Sequence, residues 1–234
     1  MKPLVLLCLL LPLLSHAVAA EQTYGSGYEP KPPIPFPSAY KDYQILPKTI
    51  SPDKQFAFIY PKRSLLYTTM NCSLFLAALN PFHVLSRVPT GYTNLAENAR
   101  GYYAARWSKD SATAVFVAGS RWGPEKVWAL QVRGGKVAKQ IDLTAEVRRQ
   151  VLPDFKKSHA PRYNEYYDFV FEDENDEGWK PDGKGHVMID TTCTTDPKEL
   201  EAHRWAVWFK GTWDIEGSKF LQKEFRRIPP RPLK

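Results

Sequence analysis

Carboxylates crowd one stretch of the chain, Glu172-Asp173-Glu174-Asn175-Asp176-Glu177-Gly178. Asp173, Asn175, Glu177 and Gly178 fall at positions 1, 3, 5 and 6 of a calcium loop. Position 12, which needs a bidentate carboxylate, is Lys184. Asp173, Asn175 and Glu177 are therefore weak metal candidates, and a solvated acidic turn is the plainer reading. A hydrolytic site among Asp173, Glu174 and Asp176 is the rival chemistry. Beyond the first 20 residues the histidines are His83, His159, His186 and His203, and none has a metal-ligand spacing. Gly119-Ser120-Arg121-Trp122-Gly123 places Ser120 one position early for a nucleophile elbow. The chain has no Walker loop and no Gly-x-Gly-x-x-Gly, so no cofactor is expected.

Aromatic residues carry the other signal. Trp205, Trp208, Phe209 and Trp213 crowd one hairpin. On a strand Trp205, Val207 and Phe209 share one face and Trp208 takes the other. Core packing is the plain reading of these rings. The functional reading is a contact platform of Trp205, Trp208 and Trp213 for a protein or glycan partner. Arg121 and Trp122, beside Gly123-Pro124 on an expected loop, are the second contact candidate.

The N-terminus bounds where such a partner would be met. Lys2, an apolar run from Leu4 to Leu14 and the small residues Ala17-Val18-Ala19-Ala20 have the parts of a secretory signal over residues 1–20. The run is too short to span a bilayer, and no later segment of the mature chain is a transmembrane candidate. The expected location is periplasmic or secreted. The net charge is +7 over 234 residues. Acidic and basic residues are interspersed, which argues against a nucleic-acid partner. Cys72 and Cys193 remain after export. A disulfide between them would be worth about 4–5 kcal/mol through loop closure, and two buried thiols are the alternative.

Residues 21–39 form a proline-rich arm, residues 40–228 a single β-rich domain, and residues 229–234 a basic proline-rich tail. Within the domain an imperfect repeat recurs. Ser51-Pro52-Asp53-Lys54 runs into Gln55–Tyr60, Trp107-Ser108-Lys109-Asp110-Ser111 into Thr113–Val117, and Trp179-Lys180-Pro181-Asp182-Gly183 into His186–Asp190. Pro presets φ, Asp accepts local backbone N–H groups, and Gly takes positive φ. Each unit continues through a second strand, a turn and a third strand, giving tandem three-stranded antiparallel meanders. Degenerate pieces of a fourth unit are expected near residues 40–46 and 162–172. Between the second and third units, Leu143, Val147, Val151 and Leu152 lie at helical spacing over residues 142–152. Pro153 should stop that helix.

The Ser-Pro-Asp and Trp-Ser-x-Asp turns resemble the repeat of TolB-type β-propellers, whose blades carry a WSPDG-like turn. The matches are Ser51, Pro52 and Asp53, then Trp107, Ser108 and Asp110, then Trp179, Pro181, Asp182 and Gly183. The chain as a whole resembles bacterial exported proteins. The resemblance implies an all-β fold, propeller-like or an open stack of sheets, with a layered sandwich as the other arrangement. It implies no activity. Function is therefore expected to be non-enzymatic binding or scaffolding in a bacterial envelope, with a hydrolase or a metal-stabilised structural domain as alternatives.

Overall fold

The structure is a computed structural model that describes residues 35–62, 73–90, 101–120, 123–162, 168–172, 177–195 and 204–229. The expected signal segment, most of the proline-rich arm, Cys72, Arg121, Trp122, Asp173, Glu174, Asn175, Asp176, His203 and the end of the tail lie outside these residues.

The repeated turns fold as the sequence suggests. At the first, the Ser51 hydroxyl donates to Asp53 Oδ1 (2.6 Å) and accepts from the Phe56 N–H (2.9 Å), while Asp53 Oδ1 accepts from the Gln55 N–H (3.0 Å). At the second, Ser108 donates to Asp110 (2.6 Å) and accepts from Thr113 N–H (2.9 Å), and Asp110 accepts from Ala112 N–H (3.1 Å). The same atoms make the same bonds 57 positions later, so the repeat is structural. The third turn uses Asp182 alone, which accepts from the N–H groups of Lys184 (2.7 Å) and His186 (3.1 Å).

Each turn sits inside a four-stranded meander. The first sheet runs β1 (Tyr43–Ile45), β2 (Phe56–Pro61), β3 (Leu74–Leu79) and β4 (Phe82–Val88). The second runs β5 (Tyr102–Trp107), β6 (Thr113–Ser120), β7 (Gly123–Arg133) and β8 (Lys136–Asp142). The third runs β10 (Trp179–Pro181), β11 (His186–Thr194), β12 (Ala206–Asp214) and β13 (Lys219–Arg227), with β9 (Val170–Glu172) also pairing β11. All pairings are antiparallel.

Two expectations are corrected here. The sheets have four, four and five strands rather than three, because a strand precedes each turn and β9 adds to the third sheet; in Tyr102–Trp107 the preceding strand carries no alternation, every residue being half-buried. The suspected pieces of a fourth unit are strands of the first and third sheets, since β1 pairs β2 and β9 pairs β11.

The sheets stack in layers with the second in the middle. Ala114, Phe116 and Ala118 of β6 meet Phe58, Leu74 and Leu76 of the first sheet. Val115 and Val117 point the other way, into a cluster with Val187, Ile189 and Val207 of the third. This explains why β6 is apolar at consecutive positions: both its faces are covered. Among the described residues no cluster joins the first and third sheets, and the fold is an all-β, propeller-like or open stack of antiparallel sheets. The remaining face of the first sheet is covered by rings, Phe36 and Tyr40 from the end of the proline-rich arm packing on Phe75 and Phe82.

The helix α1 spans Leu143–Lys157, capped by Asp142, which accepts from Ala145 N–H (2.9 Å). It does not end at Pro153, as expected, but runs one turn beyond it. The cause is Phe155, which extends the buried stripe Leu143, Val147, Val151 by four positions and packs edge-on against Phe169 (5.3 Å) and Trp205 (5.1 Å). Burying a phenylalanine is worth about 2–3 kcal/mol, with aromatic pairing adding to it. That is comparable to the roughly 3 kcal/mol cost of an interior proline. Among the described residues no helix is long and apolar enough to cross a membrane.

Candidate binding face around Trp208

Strand alternation in the third sheet separates its two faces. Along β11, Val187, Ile189, Thr191 and Cys193 are buried, while Met188 and Asp190 are exposed. Along β12, Val207, Phe209, Gly211 and Trp213 are buried, leaving Trp208, Lys210 and Thr212 on the outer side. The register builds rows across this outer face: Thr192, Trp208 and Arg226; Asp190, Lys210 and Glu224; Met188, Thr212 and Gln222. No layer covers the face among the described residues.

Trp208 is the anchor of the first row. Its indole N–H donates to Asp190 Oδ1 at 2.6 Å. The Arg226 guanidinium stands over the ring at 4.4 Å from the centroid, and Lys210 Nζ lies at 5.9 Å. Two adjoining depressions flank the rows. One, of about 390 Å³, is lined by Glu172, Glu177, Asp190, Thr191, Thr192 and Trp208. The other, of about 560 Å³, shares Glu177, Gly178 and Asp190 with it and continues past Lys180, Lys210, Thr212 and Gln222. Together they form a shallow groove with an aromatic ring, donors and acceptors along it. The hydrogen bond from Lys180 (3.0 Å), then the charges of Lys180 and Arg106, hold the Glu177 carboxyl below the usual carboxylate range.

The proposed platform of three tryptophans is corrected to one. Trp205 and Trp213 are 4% and 2% exposed and belong to the core. Trp205 donates to Asp154 Oδ2 (2.9 Å) and packs on Phe155 and Phe169; Trp213 packs edge-on against Phe220 at 4.8 Å. The reason is parity. Positions 205 and 213 point the same way as the buried Val207 and Phe209, and only Trp208 points out. Arg121 and Trp122 lie outside the described residues, as do Asp173 and Asn175. Glu177 pairs with Lys180, and no group of three His, Cys, Asp or Glu able to hold a metal occurs among the described residues. Asp190, Lys210 and Arg226 were not singled out by composition or spacing. Reading the strand parity outward from Trp208 would have found Lys210, whereas Asp190 and Arg226 needed the register.

Cys193 is a free thiol, so the expected bond to Cys72 is not made there. It lies on β11 between Val207 and Phe171, and burial pushes its ionisation far up, only partly opposed by the Arg148 guanidinium.

No protein-family model and no curated protein matches the chain. Among solved structures, dihydro-heme d1 dehydrogenase NirN in complex with DHE is similar at 9% identity and a TM-score of 0.22, over 81% of this chain and 38% of that one. The chain thus spans well under half the length of that protein.

Proposed function

We propose that the chain is an exported, non-enzymatic binding or scaffolding protein of the bacterial envelope, and that it holds a glycan partner on the outer face of the third sheet. Export rests on residues 1–20, with their lysine, apolar run and small-residue end. The observation that carries the binding reading is Trp208, a ring on an uncovered sheet face that lines a depression of about 390 Å³. Thr192, Thr212 and Gln222 offer both donors and acceptors, Asp190 and Glu172 accept, and Lys210 and Arg226 donate. Such alternation along an aromatic ring suits a chain of sugar hydroxyls.

Kinship with TolB-type propellers is part of the same reading, supported by the matching bonds at Ser51–Asp53 and Ser108–Asp110. The rival hydrolase reading rests on Asp173, Glu174 and Asp176, which lie outside the described residues; next to them in the chain, Glu172 and Glu177 line one depression with Asp190.

The test is co-sedimentation of the purified chain, lacking residues 1–20, with bacterial cell-wall polysaccharide, followed by titration with soluble oligosaccharides cut from it. The wild type should bind and Trp208→Ala should lose at least tenfold in affinity. Equal binding by Trp208→Ala would refute the site, and hydrolysis of the oligosaccharides, abolished by Asp190→Asn, would replace it with the enzymatic reading.

A further inference from the structure

Strand edges are where sheets recruit other chains, and three edges in this fold, those of β1, β4 and β8, are covered. β4 and β8 lie side by side, joined by Ser86 donating to Gln140 (2.6 Å) and Gln140 to the Arg87 carbonyl (3.2 Å). β1 is three residues long and its Tyr43 packs among the rings of Tyr40 and Phe75. β13 is different. It has nine residues, ends its sheet, and pairs only with β12 among the described residues. Every residue from Leu221 to Pro229 is exposed. Three of the five exposed large apolar residues, Leu221 (52%), Phe225 (44%) and Ile228 (37%), sit on it or directly after it.

Its charges are one-sided. Lys219, Lys223, Arg226 and Arg227 stand beside a single acidic residue of the strand, Glu224, and Arg227 is paired with Asp154 of α1, which leaves a balance of +2. Charge on an edge ordinarily protects it from strand pairing, and exposed apolar side chains work against that protection. The two together select rather than forbid. A second copy of β13 would set like charges opposite one another, which is destabilising across strands. Lys223, Phe225 and Arg227 share one face of β13, so a strand that presents acidic and apolar residues in turn along one of its own faces would meet Lys223 with opposite charge and cover Phe225.

We propose that β13 is an edge for strand addition and that the strand it accepts is an acidic, extended segment of another protein. Main-chain hydrogen bonds would supply affinity and the lysines and arginines the choice of partner. Arg226 of this edge also stands over the Trp208 ring, so the two proposals are told apart by their readouts, strand pairing here and oligosaccharide binding there.

The experiment uses the full mature chain and a labelled eight-residue peptide, Glu-Thr-Val-Thr repeated twice, in which Glu and Val share one face. Anisotropy reads binding, and amide hydrogen exchange of β13 reads strand addition. The expected results are binding that weakens with salt, slowed exchange in β13, and no binding of the counterpart with Lys in place of Glu. Lys219→Glu with Lys223→Glu should weaken the acidic peptide at least tenfold and admit the lysine peptide. On the unaltered protein, the same peptide methylated on every backbone nitrogen, which leaves neither edge able to donate, should not bind. Failure of the acidic peptide to bind, or equal binding by the methylated one, would overturn the proposal; the latter would show adsorption of anionic material by charge alone. Concentration-dependent protection of β13 without peptide would overturn it in favour of a second copy.

Discussion

Asp154 and Arg227, 73 positions apart, close a two-point ion pair in which Arg227 donates through Nε (3.0 Å) and Nη2 (2.9 Å) to the two carboxylate oxygens. The same carboxylate accepts the Trp205 indole N–H at 2.9 Å. One side chain thus ties the last turn of α1 to β13 and to the start of β12. Burial alone would raise the Asp154 carboxyl, but the bonds from Arg227 and Trp205 and the charges of Arg227 and Lys157 outweigh it and hold it low. A depressed carboxylate adds stability above its unfolded-state pKa, and that stability is lost as pH falls through the lower folded-state value. Asp154→Asn should therefore cost about 1–2 kcal/mol near neutral pH and nearly nothing in strong acid. Urea unfolding at both pH values checks it; an equal cost at each would refute the charge argument.

The tryptophans of β12 make an internal control. Trp205 is core and Trp208 lies on the outer face. Trp205→Ala removes a buried ring and leaves the Asp154 carboxylate one donor short, so it should cost about 3–5 kcal/mol. Trp208→Ala loses a half-exposed ring and its contact with Arg226, for about 1 kcal/mol. Denaturant midpoints of the two variants give the comparison, and similar losses would contradict the assignment of faces.

Much of this fold is legible in the residues, for a physical reason. Turns such as Ser51-Pro52-Asp53 and Ser108-Lys109-Asp110 encode their bonds locally, and the strands after them are continuous apolar runs. The helix start at Asp142 is legible in the same way. What is not legible depends on partners far along the chain. Nothing near Pro153 says that Phe155 will find Phe169 and Trp205. β5 reads as irregular because both its faces are half-buried, against different clusters, which leaves no alternation. The outward position of Trp208 follows from parity, but Asp190 and Arg226 reach it only through register with two other strands.

The first two turns also place side-chain-bearing residues at positive φ, Lys54 at 61° and Ser111 at 59°. The two are not equivalent. Ser111 is buried and its hydroxyl accepts from the Asp53 N–H at 3.1 Å, linking the first turn to the second. Lys54 is exposed. Lys54→Gly relieves a left-handed conformation and should stabilise by about 0.5–1 kcal/mol. Ser111→Gly relieves the same conformation but removes that acceptor, and should be neutral or destabilising by up to about 1 kcal/mol. Thermal melts of the pair test the point: equal gains would mean that the link between the turns contributes nothing.

Cys193 offers a probe of the core between the second and third sheets. Thiolate is the reactive form, and burial pushes this thiol far above its ordinary range. It should resist a water-soluble thiol reagent in the native protein and react only on unfolding. The rate should then follow the population of opened molecules, rising with urea in step with global unfolding. Cys193→Ser would place an additional hydroxyl among Val207, Phe171 and Ile189, at a cost of about 1–3 kcal/mol, whereas Cys193→Ala should lose less because no polar group is buried. Rapid native labelling would place Cys193 outside the core. Failure to label in full denaturant without reductant would mean that its sulfur is bonded to Cys72 after all.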